Sequence, residues 1–237
     1  MKSKGMLILL LVSLLILGST TVGLAQEKVL VFGSSGDVAR LDPADVTDGE
    51  SISRMDNIFE GLVEYEAGST KIQPCLAESW DVSEDGKEIV FHLRKGVKFH
   101  DGSEMTSKDV VASMNRWFDS FSTAANVVNG ARFEAVDDYT CKISLSSPCV
   151  TLLSVIAGSS QPAMITTAAE CENEDANGFL QNYIGTGPYK FVEWKLNQYI
   201  ELQKFDDYVA YGNETEEMDG WAGYKHAYTN TLYYDYV

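Results

Sequence analysis

Asp81, Ser83, Asp85 and Gly86 repeat the opening of a calcium-binding loop, in which alternate oxygen-bearing side chains turn toward one cation. The position that should close such a loop with a bidentate carboxylate is His92, so a hairpin turn is the better reading. Gly185-Thr186-Gly187-Pro188 lacks the Gly-Lys-Ser/Thr ending that lets a phosphate loop cradle its anion. Gly158-Ser159-Ser160-Gln161 is not a nucleophile elbow, and no Ser, His and Asp set is nominated by spacing. His92, His100 and His226 have no paired spacing on a helix, which argues against a metal site. The expectation is a chain that performs no covalent chemistry and holds no cofactor.

Two places are candidates for holding a solute without reacting with it. Ser34, Ser35, Gly36 and Asp37 follow an apolar run, so a loop leaving an early strand presents hydroxyls and backbone groups toward a cleft. An ordinary turn is the alternative there. Arg132, after Asn129-Gly130-Ala131, is suited to gripping a carboxylate as a bidentate fork; a solvated surface arginine is the alternative. Of the four cysteines, Cys141 and Cys149 flank the turn-like Ser146-Ser147-Pro148 and form the candidate disulfide, with buried free thiols as the alternative. Cys75 and Cys171 complete the set, and no CxxC spacing supports zinc or redox chemistry.

The hydrophobic pattern shows which elements must position these residues. Val29 to Phe32 form a short strand ending at Gly33-Ser34-Ser35-Gly36. Asp48 caps a helix whose stripe runs through Ile52, Met55, Ile58, Phe59, Leu62 and Val63. Trp80 and Val82 alternate into the turn Glu84-Asp85-Gly86, and Ile89, Phe91 and Leu93 alternate out of it, as in a hairpin with one buried face. Val97 and Phe99 lead to a turn at His100-Asp101-Gly102. Thr106 and Asp109 then make a capping box for a helix burying Val110, Val111, Met114, Trp117 and Phe118. Further hairpins are expected at Phe133 to Leu145 and at Tyr189 to Leu202, a short helix at Leu152 to Ala157, and a last strand at Thr231 to Val237.

At the N-terminus Lys2 and Lys4 precede an apolar run from Met6 to Leu17, then small and polar residues to Ala25. This is the layout of a secretory signal peptide, with cleavage expected after Ala25 and an uncleaved anchor as the alternative. No cysteine follows the run, so a lipid-anchored mature terminus is not expected. The net charge is -17, and loss of Lys2 and Lys4 takes it to -19. Such a surface disfavours nucleic acid and anionic membrane as partners, because both need clustered Lys and Arg. With 45% hydrophobic and 22% charged residues the composition is that of a globular protein.

In order along the chain stand Leu41-Asp42-Pro43-Ala44, Asn57-Ile58-Phe59-Glu60-Gly61-Leu62 and Pro74-Cys75-Leu76-Ala77-Glu78-Ser79-Trp80. Ser83-Glu84-Asp85-Gly86-Lys87, the run Phe91 to Gly102, Thr106 to Val110 and Gly185-Thr186-Gly187-Pro188-Tyr189 follow. As a set these resemble the family 5 extracellular solute-binding proteins, the dipeptide-, oligopeptide- and nickel-chelate-binding group. The resemblance covers nearly the whole chain after residue 25. It implies a mixed α/β fold of the periplasmic-binding-protein type II, with two lobes closing on the solute about a hinge. Residues 26–65 and 184–237 would form the sheet-bearing part of lobe I, residues 66–183 an inserted subdomain, and the second lobe would follow Val237.

The function implied is that of an exported, monomeric, non-enzymatic receptor that passes peptides to an ABC permease. A nickel chelate or oligosaccharide as cargo, a sensory binding module, and a secreted hydrolase are the alternatives. The acidic anchor for a peptide amino terminus would lie in the absent second lobe.

Overall fold

The computed structural model describes residues 27–212, 218–219 and 222–237. The expected signal peptide, residues 1–25, lies outside them. Two four-stranded sheets organise the chain, each over its own hydrophobic core.

The first sheet has the order β1 (Val29–Ser34), β12 (Thr231–Tyr236), β9 (Tyr199–Lys204), β8 (Tyr189–Lys195). β1 and β12 run parallel, Val29 opposite Thr231, and the other pairs are antiparallel. The β8–β9 hairpin turns at Asn197, whose φ of 57° is one that asparagine tolerates better than most residues. Helix α1 (Gly49–Ile58) packs on this sheet, and its Met55 and Ile58 join Leu41, Ile200, Leu202 and Leu232 in one core.

The second sheet has the order β4 (Ala77–Val82), β5 (Glu88–Leu93), β7 (Thr140–Ser144), β6 (Phe133–Asp137), all antiparallel. Ile89, Phe91 and Leu93 turn to the core at every second position, and α2 (Ser107–Ser120) covers them with Val110, Met114, Trp117 and Phe118. Two short antiparallel ladders, β2 (Val63–Tyr65) with β3 (Ile72–Pro74) and β10 (Met218–Asp219) with β11 (Ala222–Gly223), complete the strands. Three short helices are α3 (Ser122–Val128), α4 (Leu152–Ile156) and α5 (Ala168–Glu172).

Most expected elements are present, with two corrections. Helix α1 starts as expected, Asp48 Oδ1 accepting from Ser51 N at 2.8 Å, but stops at Ile58. Gly187 N donates to Ile58 O at 2.9 Å, so the last turn is capped by a distant loop. Leu62 and Val63 continue the apolar stripe in extended chain instead, since a short apolar run fits either period.

The second correction concerns the thiols: all four cysteines are free. The expected hairpin linking Cys141 to Cys149 does not form. Cys141 sits in the middle of β7, opposite Phe91 of β5 and Ala135 of β6, while the chain beyond Ser144 runs on toward α4. With both strand neighbours already in place, Cys141 faces the core and Cys149 lies past the strand end.

Candidate functional site

At the carboxyl end of the β1–β12 pair, Val237 N donates to Ser34 O at 3.1 Å, and the chain turns through Ser34, Ser35, Gly36 and Asp37. Carboxyl ends of parallel strands are where open α/β sheets receive ligands. The four nominated residues are thus brought together, but their roles separate.

Ser34 is buried and its Oγ lies 2.9 Å from Glu50 Oε2, in the first turn of α1; Ser35 Oγ donates to Glu50 Oε1 at 3.3 Å. Arg54, one helical turn on, donates to Ser34 Oγ and pairs with Glu50 at 2.6 Å. Its guanidinium, 2% exposed, lies 4.5 Å from the centre of the Tyr234 ring. The Ser34 hydroxyl foremost, then Arg54, hold the Glu50 carboxyl below its ordinary range. Burial acts to raise Asp37, yet hydrogen bonds from Asn197 N (2.6 Å), Val38 N (2.8 Å) and Trp194 Nε1 (2.9 Å) keep it low.

Ser34 and Asp37 therefore shape the loop. Ser35 is exposed, its hydroxyl resting on Glu50 through the 3.3 Å bond, and there is open space where a Gly36 side chain would stand. Arg132 is elsewhere: it is exposed at the start of β6 in the second sheet and pairs with Asp119 of α2.

Glu50, Arg54 and Tyr234 are not among the residues that the sequence nominates. An arginine on the apolar face of α1, four residues after a glutamate, was the available sign of an internal ion pair. Nothing near Tyr234 in the sequence points to Arg54, because β12 meets α1 only after nearly the whole chain has intervened.

The residues that carry the family resemblance converge elsewhere, at the seam between the two cores. Glu60 is 1% exposed and accepts from Thr186 Oγ1 and Tyr208 OH, each at 2.9 Å. Arg94 Nη2 donates to the carbonyls of Val209 (2.6 Å) and Ala210 (2.8 Å). Asp42, fully buried, receives Arg116 bidentately at 2.7 and 2.6 Å and also accepts from Ala44 N and Leu180 N.

His100 accepts from Gly185 N at Nδ1 (3.3 Å), which places its proton on Nε2, 3.0 Å from Gly187 O. Burial lowers this imidazole to about 4, so it stays neutral in the fold. His92 lies against Asp81, and His226 lies between the rings of Tyr224 and Tyr228, tilted to both. None of the three histidines activates a serine of the β1 loop. Among the described residues no group of three His, Cys, Asp or Glu side chains is placed to hold a metal ion.

Residues 71–236 match the family described as bacterial extracellular solute-binding proteins, family 5 Middle. The chain belongs to this family. Among its family 5 relatives is the di/tripeptide-binding protein 1 of Pseudomonas aeruginosa, 33% identical over 76% of this chain and 38% of that protein. Heme-binding protein A of Haemophilus influenzae is also 33% identical, over 70% of this chain and 35% of its own length. A solved structure of the same type is the periplasmic binding protein DppA of Helicobacter pylori, in complex with the peptide STSA. It matches with TM-score 0.71 and 30% identity, covering 89% of this chain and 43% of that one. The family 5 chain described here thus spans well under half the length of these relatives, and it has their mixed α/β periplasmic-binding-protein fold.

Proposed function

We propose that this chain forms one wall of an exported receptor that captures short peptides and presents them to an ABC permease. The observation that carries the reading is the outward-facing loop at the carboxyl end of β1 and β12, on a fold shared with a peptide-bound relative. Ser35 and the Gly36 backbone offer hydrogen bonds to a ligand main chain, while Ser34 and Asp37 hold the loop in shape. Arg132 stays outside the contact set because Asp119 engages its guanidinium.

The two cores support a division into a sheet-bearing part, residues 26–65 and 184–237, and an inserted subdomain, residues 66–183. A second lobe in the longer polypeptide would close over the loop, and capture needs no chemistry: the solute stabilises the closed form because only that form touches it from both sides. Residues 1–25 would direct export and be removed. Among the described residues no helix is long and apolar enough to cross a membrane. Heme-binding protein A shows that a relative serves another solute, so nickel chelates, oligosaccharides and heme form the competing cargo set.

The test is thermal denaturation of the full-length polypeptide with di- to tetrapeptides and with each competing solute. A ligand present at a hundred times its Kd adds roughly 2.7 kcal/mol of stability. Stabilisation by peptides supports the reading; stabilisation by another class alone replaces the cargo, and turnover of any of them removes the receptor.

A further inference from the structure

Behind the Glu60 seam lies a group of ionisable side chains that solute capture does not use. Asp56 comes from the last turn of α1, Glu64 from β2, and Lys225 from the stretch leading into β12. The Lys225 ammonium lies 3.7 Å from Glu60 Oε1, and burial, which would lower it, is outweighed by the surrounding carboxylates, Glu60 foremost. The Arg94 guanidinium is taken up by the Val209 and Ala210 carbonyls. Cys75 and the Tyr208 hydroxyl also face the group, and burial raises both well above their ordinary values.

Asp56 and Glu64 are partly buried and feel the Lys225 charge, which acts to lower both, but among the described residues neither forms an ion pair. They line one void of about 10 Å³, the room of a single water, and the rest of its wall is mainly the 158–164 loop. Among the described residues Asp56 Oδ2 is buried and accepts no hydrogen bond, and Glu64 Oε1 accepts only a long one, 3.3 Å, from Gly61 N. The loop across the void, Gly158-Ser159-Ser160-Gln161-Pro162-Ala163-Met164, brings no charge to meet them. It is tied down beside the void by the Gly61–Met164 bridge and by Ile165 N donating to Glu60 O at 2.9 Å. It also joins the cores: Met164 packs in the first-sheet core, Ala163 and Ile165 in the second.

We propose that Asp56 and Glu64 act as a proton-operated latch on this seam: neutral, they let the 158–164 loop close; ionised, they draw in water and lift it. The reason is solvation. Asp56 Oδ2 is buried with no donor beside a void that admits one water, so its ionisation calls for more water than the void holds, and the 158–164 loop is the wall that brings no charge in exchange. Burial first, and for Asp56 the Glu64 charge second, bring both groups to about 7, inside the working range of an exported protein.

The test is hydrogen exchange of the full chain at about pH 5.5 and about pH 8.5, each rate divided by its intrinsic value at that pH. The segment 156–165 is expected to lose roughly tenfold protection or more at the higher pH, while Asp56→Asn with Glu64→Gln keeps it at both. Unchanged protection in the wild type, or the same loss in the double variant, overturns the proposal. A carboxyl-carbon NMR titration of the wild type reads the two groups without any substitution, and midpoints at ordinary carboxylate values overturn it as well.

Discussion

A glycine at position 185 is required by distance, not by backbone angle. A Cβ there would overlap the Ile58 carbonyl oxygen and the Phe59 ring, and one at Gly187 would stand 2.6 Å from Asn57 O. Backbone oxygen cannot rotate away, so the loop and the end of α1 would have to part. Gly185→Ala is expected to destabilise by about 3 kcal/mol or more, at the upper end of overpacking. Gly36→Ala, with open space around it, should stay within about 0.5 kcal/mol. Chemical-denaturation midpoints of the two variants check this, and equal midpoints would refute the close approach.

At this scale the sequence was informative about chemistry that is absent and poor on partners. Ser34 and Ser35 are legible as polar residues at the end of a strand, yet Glu50, which engages both hydroxyls, is identifiable only once α1 lies beside β1.

Helices and hairpins were legible where the signal is local. The Asp109 carboxylate accepts from Thr106 N at 2.8 Å and Thr106 Oγ1 at 2.9 Å, closing the start of α2 as the Thr-x-x-Asp spacing suggests. Its other oxygen accepts from Ala168 N at 2.9 Å, which ties the start of α2 to the start of α5. Removing the carboxylate uncaps α2 and breaks its tie to α5, whose own cap, Thr167 Oγ1 accepting from Glu170 N, remains. Asp109→Ala should therefore lose about 2 kcal/mol, against about 1 kcal/mol or less for Thr106→Ala, in equilibrium unfolding. A larger loss for Thr106→Ala would show that the link to α5 carries no weight.

Element boundaries were less legible. The apolar stripe past Ile58 carried the expected helix too far, because a cap supplied by Gly187 leaves no mark near residue 58. β1 shows a related limit: Val29, Leu30, Val31 and Phe32 make a convincing strand, yet each is 50–58% exposed on the outermost strand of its sheet, where little packs over either face.

For the whole molecule, two buried titrations oppose each other. His100 falls from 6.5 to about 4 on folding, so between those values the unfolded chain binds a proton that the fold refuses. That contribution is complete above 6.5 and is lost as pH falls toward 4. Asp56 and Glu64 rise from 3.8 and 4.5 to about 7, so the fold keeps protons that the unfolded chain has released. Their contribution is present at low pH and is lost as pH rises to about 7.

Between pH 4.5 and 6.5 the two carboxyls outweigh the imidazole by about one proton, or roughly 1.4 kcal/mol per pH unit. The Tm of the wild type is expected to fall across that window. His100→Gln should steepen the fall, because it removes the only opposing slope of the three. A Tm series in matched buffers decides it, and a flatter profile in His100→Gln would contradict the buried neutral imidazole.

By itself the sequence determined the local rules of this protein: alternating strands, capped helix starts, turn glycines, and the motif set of family 5. Those depend on residues within a turn or two of each other, where period and capping chemistry leave a readable trace. Only the tertiary structure decided that β1 lies beside β12, that Arg54 and Glu50 close over Ser34, and that Asp56 and Glu64 share a void near Lys225. Strand pairing across the chain adds no periodicity to either strand, and the cost of burying a charge depends on neighbours that only folding supplies.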